Sequence, residues 1–315
     1  MNATQITALP ATPTGAATHL LARLVVWAAL PLILFGGSVT SLDAGMAIEG
    51  WLVVDSSQGE RLLWLYPVED WFRNLGQFVE HSHRMTGTLV GLLAIGAVVS
   101  ANVQGVSPLA RRMTATALFA VCAQGAVGGF RVLENSPELA FLHGALGHAV
   151  FACLVAAAVV TSPGWSSAER VASEGVDALR ALATRTAVVV YLMIVSGAFL
   201  RHTNDPMALA VHLMLLFVVL ASVVALLRQL MGFRETGAST HLATCGRRLR
   251  DILIAQVALG VLALAAVFIW YGPSATGVHD SILPTLHVLG GALLLGQCVA
   301  SRLWVGRLLR AEAKA

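Results

Sequence analysis

The chain has 315 residues, of which 57% are hydrophobic and 12% charged, and its formal net charge is +3. A soluble globular protein carries about 25% charged residues, so this chain lacks the polar surface to cover itself in water, and nothing in its modest charge suggests a nucleic-acid partner. Its apolar runs are continuous rather than short and alternating, which excludes an outer-membrane β-barrel.

A spanning helix needs roughly 20 mostly apolar residues. Eight segments qualify, at approximately 21–40, 84–104, 113–132, 140–161, 183–201, 207–230, 251–271 and 283–305. Residues 1–20 form a small, polar tail expected to be disordered. The tail has no basic n-region and no Arg-rich amphipathic pattern, so neither a secretory signal nor a transit peptide is expected. Arginines such as Arg111, Arg112, Arg180, Arg247 and Arg248 occupy one set of alternate loops, with Arg302, Arg307 and Arg310 after the last segment. Acids such as Asp43, Glu69, Glu138 and Asp205 occupy the other set. Positive loops stay cytoplasmic, which predicts a multi-pass membrane protein with both termini on the cytoplasmic side.

In chain order, the first segment ends in Gly36-Gly37-Ser38-Val39-Thr40, and a long loop containing Trp and acidic residues, 41–80, follows on the outer side. A structureless connection of that length is more often a lid or binding surface than a tether. The second segment opens with Glu80-His81-Ser82-His83-Arg84, the third carries Gln124-x-x-x-Gly128 and the fourth carries His143. After a charged cytoplasmic linker, 162–182, the fifth ends in Ser196-Gly197-Ala198-Phe199 and the sixth carries His212. The seventh repeats the glutamine–glycine spacing as Gln256-x-x-x-Gly260, and the eighth carries His287. One four-helix unit is thus written twice. The expected architecture is all-α and integral to the membrane, with two tandem pseudo-symmetric four-helix bundles over 21–161 and 183–310.

His83, His143, His212 and His287 all stand near the outer ends of even-numbered segments, so they fall in one layer of the membrane, two to each half. Ionisable side chains inside a membrane are costly and are rarely placed there without a function. Helices two apart in a bundle can lie diagonally across its core, where opposed imidazoles supply both axial positions of a haem iron. Gly87, Gly91, Gly144, Gly147, Gly290 and Gly291 flank these positions and would give a flat macrocycle clearance, or serve helix packing. Glu80 lies one turn before His83. With Arg84 it reads either as an i,i+4 ion pair or as a proton acceptor beside the haem edge, Arg84 then pairing with Glu80 or a propionate. Zinc is disfavoured, because the rings of His81 and His83 splay apart and no cysteine or carboxylate pair completes a tetrahedron. The four cysteines, Cys122, Cys153, Cys245 and Cys298, all avoid the outer loops, so no outer-face disulfide is available.

On these residues, from Gly36 through Ala47, Glu80 to Arg84, Gln124 to Gly129 with His143, and Gln256 to Gly260 with His287, the chain resembles the haem A synthase family over about residues 25–305. The resemblance implies oxidation of a methyl group of haem O to the formyl group of haem A. It implies His212 and His287 as axial ligands of a resident haem B, His83 and His143 as ligands of the substrate haem, and Glu80 as the catalytic carboxylate. It further implies haem O supplied by a membrane haem O synthase, an unidentified electron acceptor, and a place beside the cytochrome oxidase assembly machinery. Many family members carry a cysteine pair in the first outer loop; residues 41–80 contain none. The competing expectation is a di-haem b-type cytochrome that passes electrons without altering a haem.

Overall fold

The computed structural model describes residues 15–203, 205–233, 239–267 and 278–311. Helix α1 (Ala16–Ser41) leads into the outer loop, which holds a two-stranded antiparallel ribbon, β1 (Val53–Val54) and β2 (Arg61–Leu62), and the single turn α2 (Val68–Trp71). Helices α3 (Leu75–Val103), α4 (Pro108–Leu133) and α5 (Pro137–Val160) complete the first half. The short α6 (Pro163–Ser167) and β3 (Val171–Ser173) lead to α7 (Val176–Thr203), α8 (Pro206–Gly232), α9 (Ser239–Ala265) and α10 (Val278–Leu308). Strand β4 (Leu309–Ala311) pairs in parallel with β3, tying the linker to the far end of α10.

Seven of these helices are long and apolar enough to cross a membrane. Helix α9 is not among them within the described residues, because Arg247, Arg248, Arg250 and Asp251 sit in its middle. Part of the seventh segment expected from the sequence, residues 268–271, lies outside the described residues. So do residues 1–14 of the expected disordered tail, while residues 16–20 already belong to α1.

The helices outrun their apolar cores because local capping extends them. Ser107, Ser136 and Asp205 each accept a hydrogen bond from a backbone N–H of the first turn, and each is followed by proline at the first helical position. Proline there loses no helical bond and arrives with the right φ. Asn74 Oδ1 accepts from Gln77 N at 2.9 Å and starts α3 nine residues before the apolar run. Residues 75–80, expected in the loop, are therefore helical, as are 176–182 of the expected linker.

Each half closes on itself. Helix α1 packs on α3, α3 on α4, α4 on α5 and α5 back on α1; α7 to α10 repeat the ring. Helices α3 and α5 therefore stand across from one another, as do α8 and α10. The halves meet along α10, which packs on α5 and α1, and where α5 meets α7. The apolar core of the second half extends over α7, α8, α9 and α10 through Val190, Val223, Leu226, Leu249 and Leu294. That of the first half runs through Val25, Ala29, Val90, Ala117 and Leu154. Outward-facing Trp27, Phe119, Met214 and Phe217 stay more than half exposed, as suits side chains whose solvent is lipid.

Candidate functional site

His143 and His212 stand six residues after the first residue of α5 and α8, His83 eight after that of α3 and His287 nine after that of α10. At about 1.5 Å of rise per residue, the four imidazoles share one layer. The diagonal placement of their helices turns them toward each other in two couples. The ring centroids of His83 and His143 are 6.2 Å apart with planes at 83°, and those of His212 and His287 are 6.4 Å apart with planes at 83°.

The spacing has a chemical meaning. An imidazole–metal bond of about 2 Å on each side, plus about 1.1 Å from nitrogen to ring centre, puts two trans imidazoles roughly 6.3 Å apart. Both couples fit two-nitrogen axial ligation of one ion. Among the described residues, no three His, Cys, Asp or Glu side chains converge as a tetrahedral site would require.

Each ring is held by the helix that precedes its own. A Cβ on Gly36 would come within 2.8 Å of His83, one on Gly128 within 2.7 Å of His143, and ones on Gly197 and Gly260 within 2.9 Å of His212 and His287. The atoms nearest the glycine are Cε1 and Nδ1, and Nε2 is farther off. His83 Nδ1 donates to the Leu32 carbonyl at 3.0 Å, and His212 Nδ1 donates to Ser196 Oγ at 3.0 Å, which passes its own proton to Met193 O. Both bonds leave the lone pair on Nε2, the orientation that ligating histidines adopt. Gln124 Nε2 lies 3.2 Å from His143 Nδ1 and donates to the His143 carbonyl at 2.7 Å. His287 Nδ1 is buried without a hydrogen-bond partner, as is Oε1 of Gln256, the counterpart of Gln124.

The glycines that touch the rings therefore lie on α1, α4, α7 and α9. Those that follow each histidine in sequence play other parts: nothing stands within 4 Å of a Cβ on Gly91, and Gly147 and Gly290 abut Gln124 and Gln256.

Among the described residues, the outer loop is held against the helices of the first couple. Glu80 is 2% exposed, accepts from Ile48 N at 2.9 Å and pairs with Arg84 at 2.6 Å. Arg84 in turn donates to the carbonyls of Gly50 (2.8 Å) and Ile48 (3.0 Å). Both Glu80 oxygens are thus engaged, and the ion pair foreseen from the i,i+4 spacing is present as a clamp on the loop. Arg131, from the end of α4, donates to Gly45 O at 2.6 Å, and the Trp51 indole lies where a Cβ on Gly129 would be. In the second half the loop is reduced to a few residues, and Arg201 at the end of α7 instead crosses to α1, donating to Gly37 O at 2.7 Å and to Ser41 Oγ.

Three of the other histidines pack elsewhere. His81 is buried between Tyr66 (4.8 Å) and Trp71 (4.7 Å), on a different face from His83 as the spacing requires. His148 links the halves, its Nε2 lying 3.3 Å from Val288 O on α10. His202 packs on Phe141. Sequence reasoning missed Trp51, Arg131 and Arg201. The two arginines had a signal, being basic residues at helix ends on the otherwise acidic side, three and four residues after Gly128 and Gly197.

Residues 20–210 match the family model COX15-CtaA, described as Cytochrome oxidase assembly protein. That stretch includes Glu80, His83, Arg84, Arg131 and His143 and stops short of His212. The chain is also similar to the protein named Heme A synthase of Symbiobacterium thermophilum, with 28% identity over 187 residues, or 56% of each chain. The similarity thus spans little more than half of that relative's length.

Proposed function

The chain belongs to the COX15-CtaA family of cytochrome oxidase assembly proteins, and from that membership and the two facing histidine couples we propose that it is a haem A synthase, oxidising a methyl group of haem O to a formyl group. The observation that carries the reading is the spacing of 6.2 and 6.4 Å between opposed imidazoles, which suits two haem irons. His212 and His287 would hold a resident haem B, and His83 and His143 the substrate haem O. When bound, the haem iron supplies the redox chemistry that no side chain here provides.

The chain's own residues set the conditions. The glycine behind each imidazole fixes its ring, and the Nδ1 contacts on His83 and His212 keep the ligating electron pair on Nε2. The loop held by Glu80, Arg84 and Arg131 lies, among the described residues, against the helices of the first couple, which supports assigning the substrate to that half. Glu80 is buried with both oxygens engaged, so a part in the reaction would require it to exchange its bond to Ile48 N or to Arg84. Arg84, released by such an exchange, would be free for a propionate.

The wider reading has eight spanning helices in two pseudo-symmetric bundles, both termini on the arginine-rich cytoplasmic side of a bacterial inner membrane. Haem O would come from a membrane haem O synthase, electrons would leave to an acceptor, and the product would serve cytochrome oxidase assembly.

The test is pigment extraction after co-expression with a source of haem O. A formyl haem that disappears in Glu80→Gln, with haem still bound, supports the assignment. Bound haem with no formyl product under any condition would mark a di-haem cytochrome instead.

A further inference from the structure

The outer loop does more than pack against the helices of the first couple. Between Arg61 and Glu69 lie seven consecutive uncharged residues, Leu62-Leu63-Trp64-Leu65-Tyr66-Pro67-Val68. Two of them, Leu63 and Tyr66, turn inward and form a small core with Ile48 and Val54. Leu62, Trp64, Leu65 and Val68 turn outward, at 48%, 49%, 65% and 63% exposure. Runs of exposed apolar side chains are not left in water without a reason.

The depth of this segment is fixed by a hydrogen bond. Trp64 Nε1 donates to Thr88 Oγ1 at 3.3 Å. Thr88 is five residues further along α3 than His83, about 7 Å nearer the membrane centre at about 1.5 Å per residue. Thr88 also tops a stripe that continues at helical spacing through Leu92, Ile95 and Val99, exposed by 62%, 48% and 55% on a helix apolar enough to span. That stripe is the face α3 offers to lipid, so the indole lies on the outside of the bundle and below the level of His83.

We propose that Leu62–Val68 is a membrane wedge, seated in the outer part of the bilayer beside α3, and that its partner is the acyl-chain region of the lipid. Interfacial helices bury their apolar side about 5–10 Å into the boundary between headgroup and chain, a distance of the same order as the roughly 7 Å along α3 between His83 and the Thr88 that holds Trp64. An indole with an apolar body and one polar N–H suits that layer. The charged flanks Glu60, Arg61, Glu69 and Arg73 stay in the headgroup region. The outer loop is thereby anchored at two places, to protein through Glu80 and Arg84 and to lipid through the wedge. The wedge goes beyond the enzymatic reading and does not depend on it.

The test uses the purified full chain in nanodiscs of phosphatidylcholine, where no other protein can cover the segment. The contribution of Trp64 is the difference in emission between the unmodified chain and Trp64→Phe. It is expected to be quenched by phosphatidylcholine brominated along its acyl chains and to be insensitive to aqueous iodide. In a background lacking the four native cysteines, Leu65→Cys is expected to react with a charged maleimide at least tenfold more slowly than Gln58→Cys, which lies at the tip of the ribbon. Quenching of Trp64 by iodide but not by bromolipid, or equal labelling of the two cysteines, would overturn the proposal.

Discussion

Gly128 leaves room for His143 that no other residue would leave: a Cβ at that position would lie 2.7 Å from the imidazole. The same relationship joins Gly36 to His83, Gly197 to His212 and Gly260 to His287, so the repeat written in the sequence is a repeat of ring-and-glycine contacts between consecutive helices.

Gly128→Ala is therefore expected to push His143 out of line with His83. Overpacking of this kind costs about 1–3 kcal/mol, and here the strain falls on the ring. The expected outcome is loss of the haem held by the first couple with the second intact, read as haem content falling by about half in the purified protein. Gly91→Ala, which meets nothing within 4 Å, serves as the control and should retain both.

The two couples should be separable. His83→Ala is expected to abolish one low-spin centre and His287→Ala the other, each leaving the remaining centre unchanged in its optical spectrum. Loss of both centres from either single substitution would show that the couples do not act as independent sites.

The clamp makes its own prediction. Arg84 and Glu80 are 9% and 3% exposed in their side chains, and removing one member of a buried pair costs about 3–5 kcal/mol. Arg84→Ala should free the segment from Ile48 to Trp51 and speed proteolytic nicking there by an order of magnitude or more. Arg84→Lys, which keeps the charge but not the fork to Gly50 and Ile48, should fall between.

The loop should also loosen in acid. Asp70 accepts from Ser57 N at 2.7 Å and pairs with Arg73, and the Ser57 hydrogen bond in particular holds its carboxyl below the usual value of 3.8. A carboxyl depressed by folding contributes stability that is complete above its unfolded pKa and is lost as pH falls through the folded one. Nicking of the loop in the unmodified chain should therefore rise only below about pH 4, whereas Asp70→Asn should be nicked faster at neutral pH.

Much of this was legible in the sequence. Histidine, being expensive in lipid, announced the four ring positions, and the glutamine–glycine repeat gave the pairing of halves. The diagonal placement of α3 and α5 was expected of helices two apart in a four-helix unit. The glycines behind the rings were harder to assign. A glycine on another helix becomes a ring's neighbour only once helix rotation is known, so those adjacent in sequence to each histidine drew the attention instead. Helix starts were set too late because hydropathy marks the membrane core, whereas capping by Asn74, Ser107 and Ser136 carries each helix beyond it. The engagement of both Glu80 oxygens by Arg84 and Ile48 depends on the path of a 33-residue loop between α1 and α3, which local spacing does not determine.

Electron paramagnetic resonance of the oxidised, haem-loaded protein tests the central claim most directly. Two trans imidazoles with planes at 83° should give a strongly anisotropic low-spin signal from each couple, lost for one couple in His83→Ala and for the other in His287→Ala. A high-spin signal at both centres, or low-spin signals that survive removal of these histidines, would contradict it.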